Sequence, residues 1–267
     1  MLRRMIYLFC CIVLVVPLTA YSSPVITLTD AAGEYFLGPF LEYYEDTSNR
    51  LTIDDIRTDA CNTKFIRSMK KNLDFGFSDS TFWFKTDILD MSEGVSSREW
   101  FLELDYPLLD VVELYDMHSD GTYRLTISGD MLPFRGRIIQ HRNFVFRLYT
   151  EPGKRKTIFI KVRSTSSTKI NGILRAPDRF IRNSQDVFFL YGIFYGVLLI
   201  MVFYNLFLFF SIQDTTYLLY VLYVACFILM RSSMDGFATQ YLWPGSIWWS
   251  NISVTFLSAV TTVVGVL

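Results

Sequence analysis

Charge is nearly absent from residue 187 onward: Asp214, Arg231 and Asp235 are the charged side chains between there and residue 267. A segment with so little for water to solvate cannot form an ordinary soluble domain and belongs in lipid. Histidine is scarce as well. His118 and His141 form no HExxH and no paired Cys/His spacing, so zinc chemistry is not expected. No G-x-S-x-G elbow, P-loop or glycine-rich dinucleotide turn is present, so neither a catalytic residue nor a cofactor is expected, and the chain does not read as an enzyme. Cys10 and Cys11 fall in the first apolar run, leaving Cys61 in a polar region and Cys226 in an apolar one. No disulfide is expected between them. The formal net charge of −1, with no basic stripe, gives no reason to expect a nucleic-acid partner.

What is present is apolar and aromatic: 51% hydrophobic and 17% aromatic residues, with mean hydropathy +0.29. Arg3 and Arg4 precede the apolar run Met5 to Val16, Pro17 breaks it, and Ala20 and Ser22 supply small residues. That order predicts a signal peptide over residues 1–22. Residues 23–174 read as one exported all-β domain, a jelly roll or β-sandwich. STFWFKTDI from Ser80, EWFLEL from Glu99, VVELY from Val111, TYRLTI from Thr122, NFVFRLY from Asn143 and TIFIKVR from Thr157 are strand-like, with turn signals between them. One short helix is expected, near Ile53 to Arg57 or Asn62 to Met69. A charged, proline-containing join over 175–186 leads to three spans, at about 187–211, 214–233 and 248–267. The third stops at Leu267 in mid-span, so the sequence is expected to be a piece of a longer chain or a truncated product.

The leader places residues 23–186 outside a bacterial inner membrane, with the Ser211 to Thr216 turn in the cytoplasm. Gly192 and Gly196 have the small-xxx-small spacing that lets helices approach and allows a homodimer. Asn205 is the polar candidate for an interhelical bond. Of the cluster Arg135, Arg137, Arg142 and Arg147, two residues, Arg135 and Arg137, are the candidate ligand-binding pair, able to hold a carboxylate through bidentate contacts. The same arginines could instead pair with Glu99, Glu103 and Asp130 on neighbouring strands. Glu99, Glu103 and Asp105 read as surface acids rather than a glycosidase pair.

Leu37-Gly38, Glu42 to Asp46, NLDFGFSDSTFW from Asn72, FLELDYPLLDVVELY from Phe101, Gly129-Asp130, Pro133-Phe134, Arg137 and Phe144 to Phe146 follow one another in a distinctive order. Tyr191-Gly192, the YNLF ending at Phe207, Asp214, Tyr217 to Tyr223 and GFATQYLWP from Gly236 continue it. Together they resemble the bacterial seven-transmembrane receptors with diverse intracellular signalling modules, including their second type of extracellular domain. The resemblance implies a jelly-roll fold like that of carbohydrate-binding modules. It also implies an unknown small ligand, with a carbohydrate as one candidate, and a relay through the bilayer to a cytoplasmic output module not contained in these residues. A transporter component, which would need polar groups inside the spans, and a stand-alone membrane-anchored carbohydrate-binding protein are the alternatives.

Overall fold

The computed structural model describes residues 24–93 and 96–266. The leader expected over residues 1–22 lies outside the described residues. Short alternating runs give β1 (Val25–Leu28), β2 (Glu34–Phe36), β3 (Glu42–Asp46), β4 (Ile66–Arg67), β5 (Leu73–Phe77), β6 (Thr81–Asp90) and β7 (Arg98–Leu104). They continue with β8 (Val111–Met117), β9 (Tyr123–Ser128), β10 (Phe144–Thr150), β11 (Arg155–Arg163), β12 (Ser167–Ile170) and β13 (Gly172–Arg175). Two single-turn helices, α1 (Ile53–Ile56) and α2 (Asp59–Asn62), stand where one was expected. Thr52 and Asp55 close a reciprocal capping box on α1, which is why so short a helix holds.

Two sheets make the sandwich. The larger runs β4-β3-β6-β11-β8-β9, and the smaller β10-β7-β13-β2; β5 and β12 pair separately. Antiparallel β3 takes the first half of one edge of β6 and parallel β1 takes the second half. The period of two sets the faces. Phe82, Phe84 and Ile88 on β6 and Ile158, Ile160 and Val162 on β11 turn inward, toward Trp100, Leu102, Phe144, Phe146 and Leu148 of the smaller sheet. Each such side chain, fully buried, stabilises the fold by roughly 1.5–3 kcal/mol. The outer face of the larger sheet carries Trp83, Tyr115 and Phe159, which Ile53 and Ile56 of α1 cover. Trp83 and Trp100 are therefore both core residues, without a free ring face for stacking on a sugar.

Arg175 ends β13, and α3 (Pro177–Ile212) begins after a single intervening residue. Pro177 suits the first helical position because its fixed φ and missing N–H cost nothing there. The join expected over 175–186 is thus the end of a strand followed by helix. At 1.5 Å per residue, the 36 residues of α3 make a rod of about 54 Å, far longer than the ~30 Å hydrocarbon core. Its first turns stand outside the bilayer against the smaller sheet, where Phe180 meets Phe101 edge to face at 5.1 Å. Gln213, in the left-handed region, ends α3, and Asp214 caps α4 (Thr215–Met234) by accepting from the Thr216 N–H at 2.9 Å. A π-helical turn at Ala238–Leu242 leads to α5 (Ile247–Val266). All three long helices are apolar enough to cross a membrane. The α4–α5 connection lies on the sandwich side, as two antiparallel crossings require.

Candidate functional site at the junction of sandwich and helices

The outer face of the smaller sheet is polar at its centre. Arg175 ion-pairs with Glu103 and donates to Glu34 at 2.6 Å. The Asn143 amide donates to both Glu103, at 2.5 Å, and Asp105, at 2.7 Å. Arg142 completes the row, donating to Asp105 at 3.3 Å. Glu103 and Asp105 are acceptors in this network, not an opposed acid/base pair. Burial pushes the Glu103 carboxyl above the usual range; its bond from Asn143 and the Arg175 charge pull the other way.

Arg142 also reaches the helices. It donates to the Asp235 carbonyl at 3.3 Å, and its guanidinium lies 5.1 Å from the Tyr191 ring centre and 5.9 Å from that of Phe237. The Asp235 side chain accepts from Tyr191 and Tyr195 and ion-pairs with Arg231 at 2.9 Å. Gly236 follows with φ of +81°; a Cβ there would sit 2.8 Å from the Arg142 carbonyl oxygen and 2.9 Å from Pro107. Only glycine lets this backbone come so close.

An aromatic row runs beside the polar one. Phe101 packs on Phe180, Phe180 on His141, His141 on Phe188, and Phe188 on Phe237, which also meets Tyr191 and Tyr195. His141 accepts from the Asn143 N–H, and burial first, then Arg142, pushes its pKa down to about 4. The imidazole is neutral at neutral pH. Its contribution to stability is present above the ordinary value of 6.5 and is lost as pH falls from there through about 4.

Of the two candidate ligand residues, Arg137 lies between the Phe134 and Phe144 rings, 4.8 and 4.6 Å from their centres. It donates to the carbonyls of His141 and Arg142, so it fixes the backbone that presents both. Arg135 is exposed on the short turn Phe134–Gly136. Arg147 pairs with Glu99 across β10 and β7, as the alternative reading of the cluster expected. Gly192 and Gly196 face open space among the described residues, and Asn205 bonds back to the Met201 carbonyl of its own helix.

Asp130 begins the segment that carries these arginines. Burial first, then Asp110, pushes its carboxyl up to about 7, against the pull of Arg137. A raised carboxyl favours folding only in its protonated form, so the penalty grows as pH rises from about 4 through 7. Asp130→Asn should therefore stabilise the sandwich by a few kcal/mol above pH 7 and by nothing below pH 4. Denaturant midpoints across that pH range check this, and an equal gain at both ends would refute it.

Beside Asp130, Asn49, Asp79, Asp110, Met131, Arg163 and Thr165 line a cleft of about 420 Å³. Asp110 accepts from Ser164 and Thr165, whereas Arg163 has no ion pair or side-chain hydrogen bond among the described residues. The cleft was not legible as a site in the sequence, because its residues come from five separate stretches.

Known proteins show the same division of the chain. The family described as 7TMR-DISM extracellular 2 matches residues 38–174, and 7TM diverse intracellular signalling matches residues 188–267. No curated protein matches. Among solved structures, a β-glucosidase from Kluyveromyces marxianus in complex with glucose is 11% identical with a TM-score of 0.30; the match covers 55% of this chain and 18% of that one. A structure of promiscuous carbohydrate-binding modules of the β-sandwich superfamily is 8% identical with a TM-score of 0.22, covering 54% of this chain and 53% of that one. The chain thus spans well under two thirds of either, and neither likeness carries an activity to it. The matched families account for the sandwich outside the membrane and the helices within it, and the chain belongs to the 7TMR-DISM membrane receptors.

Proposed function

We propose that the sandwich binds a small ligand on the outer side of a bacterial inner membrane and that the helices relay the event toward a cytoplasmic output module. The observation that carries this reading is the junction: β13 passes into α3 with no flexible linker, and Arg142 joins the sandwich to Asp235 at the far end of α4. A ligand that favours one position of the loop before β10 would shift the helices by the difference in its affinity for the two arrangements.

The ligand cleft in this proposal is the one beside Arg163. Its volume suits a small molecule. The Arg163 guanidinium, unpaired among the described residues, favours a carboxylate, and Asn49, Asp79 and Thr165 suit hydroxyl groups, so a hydroxylated carboxylate fits better than a neutral sugar. Met131 is a wall of the cleft and stands in the same loop as Arg142, which gives occupancy a short path to the helices.

Glucuronate and glucose differ in one carboxylate and separate these ligand classes. The full chain in lipid nanodiscs, titrated by calorimetry, should bind glucuronate more tightly than glucose. Arg163→Gln should weaken glucuronate about tenfold or more, as loss of a charge-assisted pair implies. Binding unaffected by Arg163→Gln, or no saturable heat from either compound, would overturn this assignment of the cleft.

A further inference from the structure

Residues 131–140 of the sandwich connect β9 to β10 and are held at both ends by membrane helices. At one end, the Asn251 amide, in the first turns of α5, donates to the Met131 sulfur. At the other, His141 packs on Phe180 and Phe188 of α3. Phe188 lies just past Asp186, the last charged residue before the apolar run of α3. The His141 anchor therefore sits where α3 changes from polar to apolar, which is the height of the bilayer surface. Exposed Tyr241 and Trp248 mark the same height on the α4–α5 connection and α5, as interfacial aromatics do.

Between those anchors the loop shows apolar side chains where a water-facing loop would be polar. Met131 is 46% exposed and Ile138 57%, and Leu132 and Ile139 are partly exposed. Arg137 is committed to protein carbonyls, which leaves Arg135, unpaired among the described residues, as the loop's other cation. We propose that this loop lies in the headgroup layer of the outer leaflet, with Ile138 at the acyl boundary and Arg135 on a lipid phosphate. The apolar groups leave water there, and an arginine with a long aliphatic stem reaches the phosphate level from the same depth. The inference stands on the loop's anchors and side chains and does not depend on the ligand reading.

The test uses the full chain with Cys10, Cys11, Cys61 and Cys226 replaced by alanine, in nanodiscs of phosphatidylglycerol. A fluorophore on Ile138→Cys is compared with one on Ser119→Cys, at the turn after β8, about 20 Å farther along that strand. Both sites are exposed, so neither substitution disturbs packing. Lipids with a nitroxide high on the acyl chain should quench the label at 138 severalfold more than the label at 119. Equal quenching at the two sites, or none at 138, overturns the proposal. Arg135→Gln should lower the quenching at 138, and unchanged quenching would remove Arg135 from the contact.

Discussion

Replacing Arg175 with methionine is expected to destabilise the sandwich by about 3–5 kcal/mol, the usual cost of leaving one member of a buried ion pair alone. Arg175 and Glu103 are 7% and 5% exposed at their side chains, so water cannot take over the lost partner. Glu34, the second acid on Arg175, is more exposed and can be solvated. Without the guanidinium, Glu103 would hold its proton to higher pH. The deficit should therefore shrink in acid, where Glu103 is neutral in both folded and unfolded chains, and be full at neutral pH. Adding Glu103→Leu should recover most of the loss, because an apolar pair of similar volume removes the uncompensated charge. Denaturant unfolding of the full chain in nanodiscs measures all three proteins. A loss below about 1 kcal/mol for Arg175→Met, within the range of an exposed pair, would show that the centre of this sheet is not dry.

The second large effect is expected at Arg142. Arg142→Ala removes a charge-assisted bond to Asp105, a bond to the Asp235 carbonyl, and the guanidinium over Tyr191 and Phe237. The desolvated cation–π contact and the bond from the guanidinium to the Asp235 carbonyl together amount to about 3 kcal/mol of contact between sandwich and helices. Local opening of the 236–246 connection should become about 100-fold more frequent, since every 1.4 kcal/mol is tenfold. Hydrogen exchange reads this directly: faster exchange in 236–246 and the first turns of α3, with β6 and β11 unchanged. Faster exchange throughout the sandwich would mean that Arg142 supports the fold rather than the junction.

Much of the fold is legible in the sequence because its signals are local. The alternation along β6, β10 and β11 shows in the residues themselves, and so does the loss of charge after Asp186. The strands hidden in the sequence are the short ones. β2 and β13 have three and four residues, too few to show a period, and they are strands because β7 and each other supply their partners. The junction is hidden for a different reason. Arg142 and Asp235 lie 93 residues apart, and nothing near either one names the other. A signal was nevertheless present. Asp235 is an acid in a stretch almost without charge, and such a residue needs a buried partner or a wet cavity. Arg231 and the two tyrosine hydroxyls are those partners. The arginine cluster was visible as a cluster, but which member would face inward depends on the turn Phe134–Gly136, which no periodicity announces.

The central claim is that the sandwich sets the arrangement of the helices through Arg142. Spin labels on Ser211, at the α3–α4 turn, and Val266, at the end of α5, report the distance between inner helix ends in nanodiscs, with the native cysteines replaced. Arg142→Ala changes only the sandwich side of the junction, so any change in that distance has crossed the membrane. A shifted or broadened distance distribution is the expected result. Distributions that superimpose on those of the unmodified junction would contradict the relay.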